Sequence, residues 1–256
     1  MNTIAIIPAR YDSTRFPGKP LAKIGGKTMI ERVYRQAEKA TRVNEIIVAT
    51  DDERIKQEVE RFGGKVVMTG SHHINGTERC AEVMESAYIN ADIIVNIQGD
   101  EPFILPEQID ELVKCFDDEN AEIATLVKKA DNEELLNYSG EVKVVYDIEK
   151  YAMYFSRQPI PFIQKTVKEN WLEKQAHYLH VGIYGFRDYI LNDIVKLPES
   201  KLEKLESLEQ LRWLENGYKI KLGFTTHTSM AVETPEDLIA AEAYFQKHRN
   251  LFETSF

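Results

Sequence analysis

Four short runs rich in isoleucine and valine alternate with three amphipathic stretches of helical length in the first hundred residues. The runs are Ile4–Ile7, Ile46–Ala49, Val66–Met68 and Ile93–Ile97, and the stretches are Met29–Thr41, Asp52–Phe62 and Thr77–Ala87. Continuous apolar runs suit strands buried on both faces, the environment of a parallel sheet covered by crossover helices. The expected fold is therefore α/β, with three layers and a sheet between helices. Gly63-Gly64, directly after the second stretch, predicts a helix stop.

The pattern changes after about residue 140. Val142–Tyr146 and Ala152–Phe155 read as short strands around the polar turn 147–150, and Pro159 and Pro161 then interrupt regular structure. Tyr178–Phe186 is a further strand, Lys201–Asn216 a helix with leucines at every third position, and Lys219–Phe224 a strand. Thr234 before Pro235 marks the start of a last helix running to about His248, with a frayed end beyond it. The 256 residues suit one domain, 1–256, in which roughly 140–225 form a smaller lobe.

Composition removes several function classes. A net charge of −10 argues against a broad nucleic-acid surface, though a local basic cluster can still hold a small phosphate-rich ligand. No apolar run approaches the roughly 20 residues of a membrane span. The N-terminus has no basic leader, and the two cysteines, Cys80 and Cys115, make no CxxC motif and suggest no disulfide framework. A soluble cytoplasmic protein is expected.

The chemistry gathers at strand ends. After the first strand comes Pro8-Ala9-Arg10-Tyr11-Asp12-Ser13-Thr14-Arg15-Phe16-Pro17-Gly18-Lys19-Pro20-Leu21, which places Arg10, Arg15 and Lys19 on one loop. Open α/β sheets bind ligands at such carboxyl ends, and guanidinium and ammonium groups suit phosphate oxygens. A solvated charged loop is the alternative, and the loop alone does not decide. Gly25-Gly26-Lys27-Thr28 imitates a P-loop end, but Leu21 stands where the first glycine is required. No G-x-G-x-x-G occurs either. Asn96-Ile97-Gln98-Gly99-Asp100-Glu101-Pro102 offers a carboxylate for Mg²⁺ beside phosphates, or simply a capped turn. Asn75-Gly76-Thr77-Glu78-Arg79 opens a helix, with Asn75 or Thr77 as N-cap and backbone donors that can read a base or ribose. His72-His73 show no metal-ligand pattern and read as exposed loop residues. On Tyr178–Phe186, period-two alternation sends Leu179, Val181 and Ile183 to the core, and His180, Gly182 and Tyr184 to a face suited to a polar ligand such as a sugar.

Taken together, these motifs resemble the 3-deoxy-manno-octulosonate (Kdo) cytidylyltransferases. The resemblance rests on the Pro8–Leu21 loop, Val48-Ala49-Thr50-Asp51, Gly76-Thr77-Glu78-Arg79, Asn96 to Pro102 and Val142-Lys143-Val144-Val145. It continues through Tyr154-Phe155-Ser156-Arg157, His180-Val181-Gly182-Ile183-Tyr184-Gly185, Leu208-Glu209-Gln210-Leu211-Arg212 and Thr234-Pro235-Glu236-Asp237-Leu238. It implies a nucleotide-diphospho-sugar-transferase-like, Rossmann-like mixed sheet, and the reaction CTP + Kdo → CMP-Kdo + pyrophosphate for lipopolysaccharide assembly. It also implies a homodimer formed through the second-half lobe. By the resemblance Ala9, Arg10, Ser13, Arg15, Lys19, Thr77, Arg79 and Gln98 hold CTP, with Arg10, Arg15, Lys19 and Asp100 the catalytic set. Gln98, Arg157, His180, Tyr184, Glu209 and Gln210 form the sugar pocket, and Asp100 and Glu233 hold Mg²⁺. Two positions depart from the family pattern: Glu233 stands where aspartate is usual, and Asn75 where serine is usual. The alternative acceptors are a Kdo variant such as 8-amino-Kdo, or sialic or legionaminic acid. A non-catalytic nucleotide-binding protein is the alternative of another class.

Overall fold

Each of the four apolar runs is a strand in the computed structural model, which describes residues 1–86, 89–228 and 230–253. The chain begins with β1 (Thr3–Ala9) and a small antiparallel ladder of β2 (Lys23–Ile24) and β3 (Lys27–Thr28). It then alternates α1 (Met29–Ala37), β4 (Glu45–Thr50), α2 (Glu53–Arg61), β5 (Val66–Met68), α3 (Gly76–Ser86) and β6 (Ile93–Asn96), followed by α4 (Pro106–Lys114). Residue 87, the expected end of the third helix, lies outside the described residues. The strands β6-β1-β4-β5 pair in that order, all parallel. Ile4, Ile6, Ile7, Val48, Ile94 and Val95 have essentially no exposed surface, as continuous apolar strands require. Burying each such side chain contributes about 1.5–3 kcal/mol.

Helix ends follow from capping. Thr28 caps α1 by accepting from Glu31 N, and the helix finishes at Ala37, before the expected residue 41. There Lys39 and Ala40 N–H bond three residues back, tightening the last turn. Asp52 caps α2, and Gly63, at φ +78°, lets Gly64 N–H reach the Val59 carbonyl to close the helix.

The order of the strands locates a site. From β1 the chain builds outward through β4 to β5, then returns to the opposite side of β1 with β6. Loops leaving the carboxyl ends of β1 and β6 diverge at this reversal and leave a crevice.

Residues 1–110 with 228–256 form one compact unit, and 111–227 form another. The second contains β7 (Ile123–Lys129), α5 (Glu133–Asn137), β8 (Lys143–Tyr146), β9 (Ala152–Ser156), α6 (Trp171–Lys174) and β10 (Tyr178–Arg187), then α7 (Asp188–Ile194), α8 (Lys201–Glu206), α9 (Gln210–Glu215) and β11 (Ile220–Thr225). Its sheet is mixed: β7 runs parallel to β11 and antiparallel to β10, and β8 is antiparallel to both β10 and β9.

The helix expected over 201–216 is two helices, because Ser207 adopts the left-handed region at φ +53° between α8 and α9. Leucines at steps of three rotate by about 60° per step around an α-helix, so five of them cannot share one face. The break resolves this, and Leu205 is left exposed. In β10 the expected alternation fails between Val181 and Tyr184, where the register to β7 shifts at a bulge. Leu179 and Ile183 are buried as expected, but Val181 is half-buried and Tyr184 is buried.

The chain closes with α10 (Pro235–Lys247) and α11 (Arg249–Phe252). Thr234 caps α10 in a reciprocal box with Asp237. Ala241 and Phe245 of that helix pack with Ile24, Met29, Phe103 and Val232 of the first unit. Residues 254–256, where fraying was expected, lie outside the described residues. No helix among the described residues is long and apolar enough to cross a membrane.

Candidate active site

The crevice beside β1 holds a cavity of about 210 Å³ in the first unit. Ala9, Arg10, Ser13, Arg15 and Lys19 line it from the loop after β1, and Asn75, Gly76 and Arg79 from the start of α3. Gln98, Gly99 and Asp100 line it from the loop after β6. Close backbone approach makes this possible. A Cβ on Gly99 would lie 2.8 Å from the Pro8 carbonyl oxygen, and one on Gly76 would lie 2.9 Å from Pro8 Cγ. Both loops therefore press on the end of β1 through glycines. The cationic loop is closed by Gly18 N–H donating to the Tyr11 carbonyl at 2.8 Å, with Gly18 at φ +74°. Tyr11 is in turn covered by the Arg54 guanidinium, 3.2 Å from its ring centroid.

The three loop cations differ in environment. Arg10 is exposed and has no hydrogen bond or ion pair among the described residues. Lys19 Nζ is half-buried and donates to Asp100 Oδ2 at 2.6 Å. Arg15 pairs with Glu233. Val232 N–H donates to the Asp100 carbonyl at 2.9 Å, which carries Glu233 toward the loop after β6. Asp100 and Glu233 are thus the two carboxylates paired with the cationic loop.

At the start of α3, Asn75 is the N-cap rather than Thr77: its Oδ1 accepts from Glu78 N at 2.8 Å. Thr77 and Arg79 are both buried. The Arg79 guanidinium is tied to Thr69 Oγ1 at 2.5 Å and Asp51 Oδ2 at 3.2 Å, so it stiffens the cavity wall it lines. Gln98 Nε2 reaches Asn96 Oδ1 at 3.4 Å. His73 corrects the sequence reading. Its side chain is only 9% exposed, it contributes to the cavity lining, and its ring lies between the carboxylates of Glu82 and Glu78. Two adjacent histidines carry no periodic signal, so the pairing with a residue one helix turn beyond Glu78 was invisible.

In the second unit, His180 and Tyr184 face each other with ring centroids 5.2 Å apart. Thr125 Oγ1 lies 2.7 Å from the Ile183 carbonyl and 3.2 Å from the Val181 carbonyl, so its proton goes to a carbonyl. Its oxygen then accepts from His180 Nε2–H at 2.9 Å, which leaves Nδ1 as an acceptor. Burial pushes the His180 imidazole down to about 4, so it is neutral near pH 7. Burial, and then the Glu209 charge, raise the Tyr184 phenol well above its usual range. The Tyr184 hydroxyl is buried without a hydrogen-bond partner among the described residues. Gln210 is buried at the start of α9, directly after half-buried Glu209. Arg157 donates from Nε, Nη1 and Nη2 to the carbonyls of Glu206, Ser139 and Ser207. That occupies three of its five donors.

Comparison with known proteins decides the family. A cytidylyltransferase family model matches residues 4–220. The 3-deoxy-manno-octulosonate cytidylyltransferase of Phocaeicola vulgatus is 50% identical over 96% of this chain and 98% of its own. That of Parabacteroides distasonis is 51% identical over 95% and 98%. The chain belongs to the 3-deoxy-manno-octulosonate cytidylyltransferase family. A solved structure of CMP:2-keto-3-deoxy-manno-octonic acid synthetase complexed with CTP is 40% identical, covers 96% of this chain and 99% of its own, and superposes with a TM-score of 0.89. Membership bears out the resemblance and the α/β fold read from the sequence.

Within this family the residues expected to hold CTP fall into one place. Ala9, Arg10, Ser13, Arg15, Lys19, Arg79 and Gln98 all line the cavity of the first unit, buried Thr77 adjoins them, and Asp100, expected as a catalytic and metal residue, lines the same cavity. Sequence reasoning missed Pro20, His73 and Ile74 in that lining. Of the residues expected at the sugar, His180 and Tyr184 are in ring contact and Glu209 acts electrostatically on Tyr184, whereas Gln98 belongs to the first unit.

Proposed function

We propose that this chain transfers the cytidylyl group of CTP to Kdo, releasing pyrophosphate and supplying CMP-Kdo for lipopolysaccharide assembly. The observation that carries the reading is the convergence of Arg10, Arg15 and Lys19 on one cavity with Asp100, at the sheet's topological reversal. A triphosphate carries about four negative charges, and three cations on one loop match most of them. The anomeric hydroxyl of the sugar attacks the α-phosphorus as the bond to the pyrophosphate oxygen breaks. Lys19 and Arg15 stabilise the charge that builds on that leaving group. Arg79, fixed by Asp51 and Thr69, and the first-turn backbone of α3 orient the nucleoside. Neutral His180 accepts a sugar hydroxyl at Nδ1, and the Tyr184 hydroxyl donates to the sugar.

Asp100 and Glu233 fit Mg²⁺: both are hard oxygen donors on adjoining backbone, and magnesium uses one or two protein carboxylates with substrate phosphates. When bound there, the ion supplies charge neutralisation and acidifies the attacking hydroxyl. Glutamate in place of aspartate keeps the charge and reaches one methylene further. The enzyme works in the cytoplasm, where nucleoside triphosphates are available. It works as a homodimer through residues 111–227, where Met153, Phe162 and Val167 are exposed. A light-scattering mass of twice the chain is expected, and a single monomer mass overturns the dimer.

Pyrophosphate release with CTP and Mg²⁺, measured with Kdo and with N-acetylneuraminate, tests the function. Release with Kdo alone is expected. Release with neither sugar contradicts the activity, and release with N-acetylneuraminate alone reassigns the acceptor.

A further inference from the structure

A second cluster of metal-type donors stands beside the cavity, independent of Asp100 and Glu233. His72, His73 and Glu82 each offer one donor atom, and all three atoms lie within 4.8 Å of one another. Around a tetrahedral ion bound at about 2.0–2.2 Å, neighbouring donors sit roughly 3.4 Å apart. Small side-chain rotations therefore close the set on one cation.

The surroundings hold these donors in place. Gly70 N–H donates to both oxygens of Glu82, at 3.1 and 2.9 Å. The His72 ring covers the same glycine, so that a Cβ there would fall 2.4 Å from the imidazole. The two imidazole rings lie 4.3 Å apart. His73 presents Nε2 to Glu82, while its Nδ1 faces Glu78 Oε2 at 3.8 Å. Glu78 Oε2 is anchored in turn by Ile74 N–H at 3.0 Å. At 3.8 Å Glu78 does not yet hydrogen-bond Nδ1, but it stands on the side where a carboxylate partner fixes the tautomer and raises the basicity of a metal-bound imidazole.

We infer that His72, His73 and Glu82 form a binding site for a borderline divalent cation of the Zn²⁺ class. Two imidazoles and one carboxylate select such ions over Mg²⁺, which prefers all-oxygen surroundings. Three protein ligands leave the fourth position to water. His73, Ile74 and Asn75 line the nucleotide cavity, so an ion held by His72, His73 and Glu82 ties this part of the lining to α3.

The test uses the full chain, stripped of metal, in saturating Mg²⁺ and titrated with Co²⁺ as a spectroscopic substitute for Zn²⁺. One equivalent is expected to bind with intense visible d–d absorption, and Zn²⁺ to displace it. His72 is exposed, so His72→Ala should fold. It should weaken binding by at least the 10–100-fold expected of Glu78→Gln behind His73. Asp100→Asn should leave Co²⁺ affinity unchanged. Absence of the absorption overturns the site, as does equal affinity in the wild type and His72→Ala.

Discussion

Replacing Lys143 by methionine removes one buried charge that holds the backbone of the second unit. Lys143 has no exposed surface, and Nζ donates to the carbonyls of Tyr138, Glu141 and Arg157 at 2.9, 2.8 and 2.7 Å. Burial lowers its ammonium pKa, so part of the benefit is already spent on desolvation. Methionine keeps the aliphatic stem and leaves three carbonyls without this donor. An acceptor left unpaired out of reach of water costs about 1–3 kcal/mol, and these part-buried carbonyls recover some of that from water. Allowing for the desolvation recovered, the net loss is about 2–5 kcal/mol, the scale of breaking a buried polar network. In a domain of this size that lowers the melting temperature by roughly 5–15 °C. Calorimetry gives the melting temperature, and hydrogen exchange at residues 138–141 and 157 localises the change. A fall below about 2 °C, with exchange there unchanged, refutes the reasoning.

Other expectations follow from single contacts. His180 is depressed to about 4 by burial, against an unfolded value near 6.5. Above pH 6.5 neither state binds the proton; as pH falls from 6.5 toward 4, the unfolded chain takes it up and the fold does not, so stability drops. Between pH 7.5 and 4.5 the loss is about 2–3 kcal/mol, and urea titrations should find it absent in His180→Asn; the same pH slope in both proteins refutes it. Gly99→Ala places a Cβ 2.8 Å from the Pro8 carbonyl oxygen, where the main chain must shift. The nucleotide KM should rise while the melting temperature changes little, and unaltered kinetics would show that the loop does not need this close approach. Asp100→Asn should lower turnover by roughly 10²-fold or more, and near-normal Mg²⁺-dependent turnover removes Asp100 from the metal site.

Much of the first unit was legible because its signals are local. Uninterrupted runs such as Ile4–Ile7 and Ile93–Ile97 become parallel strands, and the Pro8–Leu21 loop sits where β1 ends. Thr234 and Asp52 announce helix starts through their own side chains. What was missed depends on partners distant in sequence or on backbone conformations that several residue types can adopt. β7 was not foreseen, although it pairs with both β10 and β11. Ser207 adopts a left-handed conformation with no glycine to mark it, so one helix was read where two exist. The bulge in β10 likewise moves Tyr184 into the buried layer without a local cue. His73 gains its place only through Glu78 and Glu82, brought round by the first turns of α3.

The reaction proposed for this chain joins the anomeric oxygen of Kdo to the α-phosphorus of CTP. Incubating Kdo labelled with ¹³C at the anomeric carbon with CTP and Mg²⁺, and recording ¹³C NMR alongside pyrophosphate, tests it most directly. An anomeric signal split by a single phosphorus is expected, appearing in step with one equivalent of pyrophosphate. Pyrophosphate without that splitting, or no reaction of Kdo at all, would contradict it.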